Sequence, residues 1–274
     1  MRILVTNDDG IDSVGLHVLA RAMVSHGDVV VVAPDREYSG SSAAIGSLQQ
    51  IEPELRVAHI EGIDEAWSVS GAPALCVFLA RLGVFGERFD VVVAGINPGA
   101  NVGRAVYHSG TVGAALTARN SGMSGVAVSQ SVTDFGVEGQ GWDEMLADMR
   151  WDTAGAVAST VVGALVADLP AEPVVINVNV PNVDLQAVKG WRHSVVGTVP
   201  PRTIGRAARH PIIGQEGAYS ISMSWGETQE LPPETDGGTV ERQQVSITYL
   251  SPLQHSARSD LGAVDQALES MLAE

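Results

Sequence analysis

The sequence is poor in cysteine, in aromatic residues and in long apolar runs. Its single cysteine, Cys76, excludes an internal disulfide and favours a reducing compartment. Aromatic residues make up only 5% of the chain, so we expect a core of Val, Ala, Leu and Ile, which is typical of buried parallel sheets. The sequence shows neither an apolar run of about 18 residues nor a leader-like N-terminus. These features predict a cytoplasmic protein without a membrane span.

Basic residues are also scarce. The chain has 16 Lys plus Arg against 32 Asp plus Glu, which gives a formal net charge of −16. A field of this sign repels the phosphate backbone, so we expect no binding to nucleic-acid duplexes. It would also repel a small phosphorylated ligand unless a bound cation reversed the sign locally. The charge balance is therefore a first reason to look for a metal site.

Short apolar runs alternate with helical patterns over the first 180 residues. The runs predict strands at residues 2–6, 28–33, 89–96, 124–129 and 173–180, with a hairpin or two further strands at 55–60 and 66–70. Helices are expected at residues 14–26, from Pro73 onward, at 111–121 and at 143–169. This alternation predicts an α/β fold with a Rossmann-like, doubly wound, mostly parallel sheet.

The pattern changes after Pro181. Residues 189–199 and 219–225 are predicted to pair as antiparallel strands, and residues 245–250 form one more strand. A terminal amphipathic helix is expected at residues 260–272. We interpret residues 1–182 as a catalytic core and residues 183–274 as a β-rich extension of the same domain, used for oligomerisation.

Polar, glycine-containing loops follow three of the predicted strands. They contain Asp8 and Asp9, then residues 34–42 with Ser39, then residues 97–103 with Asn97 and Asn101. Ligands bind at the carboxyl ends of parallel strands, so these loops should share one edge of the sheet. Adjacent carboxylates repel one another, and a hard divalent cation such as Mg²⁺ or Mn²⁺ relieves that cost. Helix caps and Asx-turns explain the same residues without a ligand, and both interpretations stay open.

A second feature is the helix that opens at residues 109–111. Ser109, Gly110 and Thr111 present free backbone N–H groups and hydroxyls at a helix N-terminus, an arrangement that binds phosphate or is simply an ordinary cap. His108, beside them, is the only histidine near this site. Its two candidate roles are to act as an acid and to line the wall of the site. Cys76 lies in an apolar helix, and we predict a core residue rather than a nucleophile.

Four segments together resemble the SurE family of nucleotidases in order and spacing. They read ILVTNDDGIDSVGLHVLA, VVAPDREYSGSS, VVAGINPGANVG and YHSGTVGAA, and INVNVP with the SIT…SPL run extends the match to nearly the whole chain. The resemblance implies a Rossmann-like core with a swapped or extended C-terminal segment, in homodimers or homotetramers. It also implies one divalent metal ion, Mg²⁺ or Mn²⁺, at Asp8, Asp9, Ser39 and Asn97. The activity it implies is hydrolysis of nucleoside 5′-monophosphates, and often of 3′-monophosphates.

This chain departs from the family pattern at five positions. They are Ala72, Leu75, Gly46, Ala105 and Thr117, and none of them is an expected metal ligand. They leave nucleotide preference and subunit packing open. A non-catalytic nucleotide-binding or scaffolding protein of the same fold is the alternative that they suggest.

The expected chemistry is metal-assisted hydrolysis of a phosphomonoester, with Asp8 and Asp9 as catalytic residues. Backbone N–H groups of Ser109, Gly110 and Thr111, together with the Asn101 side chain, would stabilise the charge on the phosphoryl group. A covalent aspartyl-phosphate is the rival mechanism, disfavoured because Gly10, Ile11 and Asp12 follow Asp9 instead of the usual Asp-x-Asp-x-Thr context. An oxidoreductase is disfavoured because G-x-G-x-x-G is missing after the first strand.

Overall fold

A computed structural model describes residues 1–46, 52–132, 146–199, 202–253, 255–256 and 259–272. Its main element is a nine-stranded sheet in the order β3-β4-β2-β1-β5-β6-β7-β11-β8, and β9 and β10 form a separate two-stranded sheet. The strands are β1 (Arg2–Thr6), β2 (Asp28–Pro34), β3 (Leu55–Val57), β4 (Glu65–Val69), β5 (Val91–Pro98), β6 (Ser124–Gln130), β7 (Val175–Val180), β8 (Trp191–His193), β9 (Arg202–Pro211), β10 (Tyr219–Thr228) and β11 (Val245–Tyr249).

Helices pack on both faces of this sheet. The helices are α1 (Val14–Met23), α2 (Pro73–Arg81), α3 (Ala105–His108), α4 (Gly110–Asn120), α5 (Trp151–Ala167), α6 (Asp236–Glu241) and α7 (Gly262–Leu272). A 3-10 turn, Val24–His26, continues α1, and another spans Leu185–Ala187. In the parts of the chain that the structure describes, no helix is long and apolar enough to cross a bilayer.

The central strands run parallel, which confirms the predicted Rossmann-like α/β fold. β1 pairs in parallel with both β2 and β5, and β6 continues the parallel arrangement to β7. β3 pairs with β4 in antiparallel fashion, so the two strands predicted there form an antiparallel pair. Because three neighbouring strands point the same way, the loops that follow β2, β1 and β5 meet at one edge of the sheet.

The central strands are buried on both faces, and this explains their continuous apolar runs. On one face Ile3 and Val5 pack in a core with α1 and α5, while Leu4 points to the other face, in a core with α2. Alternate residues of a strand face opposite sides, so a strand covered on both sides must be apolar at every position. Cys76 lies fully buried in the second core, as predicted.

Local signals set the starts of three helices. Ser13 caps α1 by accepting the backbone N–H of Leu16 at 3.3 Å, and α2 begins at Pro73, as predicted. Ser109 caps α4 by accepting the N–H of Val112 at 3.0 Å. The hydroxyl of Ser109 therefore serves the helix cap, which was one of the two interpretations left open by the sequence.

The C-terminal region differs from the prediction. The strand predicted at residues 189–199 is only β8, which runs parallel to β11. The antiparallel partner of β10 is β9, which lies between the two segments that were predicted to pair. β11 pairs antiparallel with β7, so β8 and β11 extend the main sheet. The short helix α6 was not predicted.

The helix predicted at residues 143–169 is correct in type, but residues 148–150 interrupt it after helical residues 146–147, and α5 ends at Ala167. The helix begins at Trp151, and residues 143–145 of the predicted stretch lie outside the described residues. Ala154, Ala158 and Val162 are fully buried on its sheet-facing side. Val157 and Val161 are partly buried, pack against the same core and line an open groove.

Candidate active site

The site lies at the sheet edge where β1, β2 and β5 end. The backbone N–H of Tyr38, in the loop after β2, donates to the carbonyl oxygen of Asp8 at 2.7 Å. The backbone N–H of Ser42, in the same loop, donates to the carbonyl oxygen of His108 at 3.1 Å. These two bonds join the aspartate loop, the serine loop and the start of α4 into one surface.

Asp8 is anchored to the N-terminus of α4. Its side chain is 3% exposed, and its Oδ2 accepts the backbone N–H of Gly110 at 3.1 Å. Its Oδ1 accepts the hydroxyl of Thr111. Burial raises the pKa of Asp8, and the hydrogen bonds from Thr111 and Gly110 lower it in part. A partly positive helix terminus thus holds one carboxylate in a fixed orientation.

Asp9, unlike Asp8, is not held by hydrogen bonds from the described residues. Both of its carboxylate oxygens are buried, and neither has a hydrogen-bond partner in the described parts of the chain. Burial is the main cause that raises the pKa of Asp9 to about 8, and the charges of Asp8 and Glu37 raise it further. A buried, unpaired acceptor is costly, so these oxygens require a ligand or a proton.

The three hydroxyls of the serine loop have different surroundings. Ser39 is exposed, and its Oγ donates to Oε1 of Glu37 at 2.8 Å. Ser41 Oγ is buried without a hydrogen-bond partner among the described residues. Ser42 Oγ donates to the carbonyl oxygen of Tyr107 at 3.0 Å, which fixes this loop against α3.

Asn97 and Asn101 occupy the third loop. Asn97 is the penultimate residue of β5, and its Nδ2 donates to the carbonyl oxygen of Gly99 at 2.7 Å, so a cation would bind through its other side-chain atom, Oδ1. Asn101 is buried, and its Nδ2 donates to Ser129 Oγ at 2.9 Å. The carbonyl oxygen of Asn101 accepts from Nδ2 of Asn177 and of Asn179, at 3.0 and 3.1 Å. The Asn101 amide thus makes an internal contact, and its binding to a substrate stays a prediction.

Gly110 leaves no room for a side chain at the centre of the site. A Cβ atom there would lie 2.7 Å from Asp8 Oδ2 and 2.9 Å from Ser41 Oγ. The close contact between α4 and Asp8 therefore depends on glycine at this position. Because the Gly110 N–H is already donated to Asp8, the predicted phosphate cradle at Ser109, Gly110 and Thr111 shares its donors with that carboxylate.

The donor set suits a hard cation. Across residues 1–46, 52–132 and the later described segments, no group of three or more His, Cys, Asp or Glu residues is placed to hold a metal. A cation at Asp9 would consequently take its remaining oxygens from hydroxyl, amide or water ligands. Such ligands are preferred by Mg²⁺ and Mn²⁺ over zinc. The two buried oxygens of Asp9 without a partner fit this requirement.

Two neighbours of the aspartates were not predicted. Glu37 contributes to the raised pKa of Asp9 and accepts from Ser39, and Ser41 contributes the buried hydroxyl next to Gly110. Both lie in residues 34–42, so their loop was identified from the sequence. The contact between Thr111 and Asp8 was not predicted, because nothing in the sequence links positions so far apart.

Comparisons with known proteins identify the family of the chain. Residues 3–201 match the family model described as survival protein SurE. The chain is 35% identical over 274 residues to the 5′-nucleotidase SurE of Mannheimia succiniciproducens, covering 98% of this chain and 100% of that one. It is 35% identical over 257 residues to the 5′/3′-nucleotidase SurE of Cronobacter sakazakii, covering 91% and 90%.

A solved structure extends the agreement to the fold. The crystal structure of the SurE protein from Aquifex aeolicus superposes with a TM-score of 0.70 at 27% identity, over 99% of both chains. The family model covers most of the chain, and the named relatives align over nearly all of it. The chain therefore belongs to the SurE family of survival proteins.

Proposed function

We propose that this protein is a divalent-metal-dependent phosphomonoesterase that hydrolyses nucleoside 5′-monophosphates, and also 3′-monophosphates, to nucleoside and phosphate. Relatives 35% identical over almost the full chain carry the names 5′-nucleotidase and 5′/3′-nucleotidase. The observation that carries the metal dependence is the pair of buried oxygens on Asp9, which have no hydrogen-bond partner among the described residues, beside the fixed carboxylate of Asp8. Such a pair at a sheet edge suits a cation that in turn attracts a phosphate.

In this proposal Asp8, Asp9, Ser39 and Asn97 hold one Mg²⁺ or Mn²⁺ ion. When bound, the ion would neutralise negative charge and lower the pKa of a water molecule in the site. Asp8 is oriented by Gly110 and Thr111, so its geometry is set before substrate arrives. The buried start of α4 excludes bulk water from this side of the site, which strengthens every electrostatic interaction there.

The two aspartates would then divide their roles. Asp8 serves as a fixed ligand because its oxygens are already oriented by donors of α4. Asp9 has a pKa of about 8 in the metal-free protein, so a cation that binds there would displace its proton and take it as the second carboxylate ligand. Residues 109–111 and the Asn101 side chain are the groups proposed to contact the phosphoryl oxygens, although the Ser109 N–H donates to the carbonyl oxygen of Ala105 and the Gly110 N–H donates to Asp8 in the metal-free protein, so such contacts would require these donors to be shared.

The rival interpretation is a non-catalytic nucleotide-binding protein, suggested by Ala72 and Leu75. The structure places Leu75, 2% exposed, in the core beneath the sheet, and Ala72 directly before α2. Both positions lie in the packing around α2, and neither side chain contributes an oxygen to the site. The departures from the family pattern thus leave the proposed ligands intact, which favours the enzyme.

The decisive experiment is phosphate release from a panel of 5′- and 3′-nucleotides with Mg²⁺ or Mn²⁺. EDTA and Asp9→Asn should each abolish turnover, and Asp12→Asn serves as the matched control because Asp12 is an exposed aspartate of the same loop. Folded protein that binds nucleotide without releasing phosphate under any metal would establish the rival interpretation.

We also propose that the protein works as a homodimer or homotetramer in the cytoplasm. Tyr219, Ile221 and Met223 are half to two-thirds exposed at alternate positions of β10, so they lie on one face of the hairpin. An open apolar groove of about 750 Å³ lies between α5 and the β8–β11 edge. Apolar surface of this extent on a single protomer is typical of subunit interfaces. The single, fully buried cysteine supports a reducing location.

A further inference from the structure

Asp236 is a fully buried carboxylate that accepts three backbone N–H groups from three places in the chain. Its Oδ2 accepts from Gly103 at 2.8 Å, and its Oδ1 accepts from Gly197 at 3.0 Å and from Gly237 at 2.9 Å. An asparagine offers only one acceptor atom in its side chain, since the other carries hydrogens. The position is therefore specific for a carboxylate.

The Gly103 bond reaches the third loop of the active site. This loop begins at Asn97 and ends at Gly103, whose φ of +54° favours glycine and whose missing Cβ would lie 3.1 Å from the carbonyl oxygen of Gly197. Val102, 2% exposed, packs next to Gly237 at the start of α6. The loop is thus held at its first end by β5 and at its last end by the C-terminal region.

The helix that carries Asp236 is anchored by other residues. Thr235 caps α6 by accepting the N–H of Gly238 at 3.1 Å, and Thr239 Oγ1 lies 2.9 Å from Ser194 Oγ. Two of the three bonds to Asp236 run to segments outside the helix, 39 and 133 positions away. The Asp236 carboxylate therefore joins distant segments of the chain, and Thr235 caps the helix.

We propose that Asp236 is a positioning residue that holds the loop of residues 97–103 against the C-terminal region. The inference rests on the proposed nucleotidase function: this tether sets the placement of Asn101, two residues before Gly103, whereas Asn97 is held in β5 by its pairing with β6. Asp236 would then affect turnover without touching the substrate or the metal. The reason is that small displacements of groups in the site reduce rates strongly.

The test compares Asp236→Asn with Thr239→Val. Thr239 is fully buried in the same helix, and its hydroxyl bonds Ser194 and the carbonyl oxygen of Thr235, so its loss weakens α6 without touching the loop. Amide hydrogen exchange is measured in both variants without nucleotide. We expect exchange at residues 101–103 to be about tenfold faster or more in Asp236→Asn, with β1 and β5 unchanged, and to stay as in the parent protein in Thr239→Val.

Kinetics with a nucleotide and Mn²⁺ give the second readout. We expect kcat/KM to fall about tenfold or more in Asp236→Asn and to stay within about twofold in Thr239→Val. Asp236→Glu keeps the charge and displaces the acceptors by one methylene, so its values should be intermediate, and it replaces Asp236→Asn if that variant does not fold. Equal exchange at residues 101–103 in both variants overturns the inference. Hydrogen exchange can be measured without turnover. An inactive parent protein would therefore refute the proposed function, while the exchange data would still test whether Asp236 holds the loop.

Discussion

The backbone N–H of Gly110 donates to Oδ2 of Asp8 over 3.1 Å, across 102 positions of the chain. With the Thr111 hydroxyl on the other oxygen, both acceptors of Asp8 face the start of α4. Asp9, the next residue, has no such partner among the described residues. Two adjacent carboxylates therefore differ in kind: one is fixed by a helix terminus and the other is left for a ligand. The first two predictions test this difference.

Thr111→Val should reduce activity far more than the same change at Thr117. The variant removes the hydroxyl that bonds a buried carboxylate, at a cost of about 1–3 kcal/mol, and it releases the Asp8 side chain. We expect kcat/KM for a nucleoside monophosphate to fall about tenfold or more. Thr117 Oγ1 donates to a carbonyl oxygen of its own helix, that of Gly113, at 2.7 Å, so Thr117→Val is the matched control. Similar kinetics for the two variants would contradict a special role of the Thr111 hydroxyl.

Asp9 should make the metal-free protein less stable as the pH rises. Its pKa in the folded state, about 8, lies above its ordinary value of 3.8, so the folded state favours the protonated form. The stabilisation is complete below about pH 4 and is lost as the pH rises through about 8. In EDTA at pH 8, Asp9→Asn should raise Tm by at least about 2 °C and flatten the profile between pH 4 and 8. Asp12→Asn, from the exposed part of the same loop, should retain the parent slope. A parent profile that is already flat over this range would rule out the unpaired, buried carboxylate.

The sequence was sufficient to predict the strands at the centre of the sheet and the loops that follow them. Strands covered on both faces give continuous apolar runs, and β1, β2 and β5 each show one before a polar loop. It was not sufficient for β9, whose ten residues lack apolar alternation and form a strand by pairing with β10.

Contacts between residues far apart in the chain could not be predicted from the sequence. Nothing near Asp8 indicates that its partners are Gly110 and Thr111, and nothing near Asp236 indicates Gly103. Side chains that bond backbone groups elsewhere in the fold carry no periodic signal, and α6 is too short to show one. Loop positions can thus be predicted from strand ends, whereas the partners inside those loops require the three-dimensional structure.

Gly110→Ala should disrupt the site while leaving the fold intact. The new Cβ would lie 2.7 Å from Asp8 Oδ2 and 2.8 Å from Asp8 Cβ, so the aspartate or the start of α4 must move. We expect about a hundredfold loss of kcat/KM, because displacement by about 1 Å at a catalytic group has effects of this size. Gly262→Ala is the control, since its Cβ would have no heavy atom of the described residues within 4 Å. Parent-like circular dichroism with lost activity would separate the site from the fold, and retained activity would show that Asp8 tolerates displacement.

Ile221→Glu should weaken the assembly of subunits. Ile221 is 70% exposed and Met223 is 67% exposed on one face of β10, and burying that face in an interface removes apolar surface from water. A glutamate there would be desolvated without a partner, so the interface should be lost. Ser220→Glu is the matched control, because Ser220 points to the other face of the same strand.

Sedimentation equilibrium should give a multiple of the protomer mass for the parent protein and for Ser220→Glu, and a smaller multiple for Ile221→Glu. A monomeric parent protein would contradict the proposed homo-oligomer. An unchanged mass in Ile221→Glu would exclude this face of the hairpin from the interface and leave the groove between α5 and the β8–β11 edge as the surface to test next.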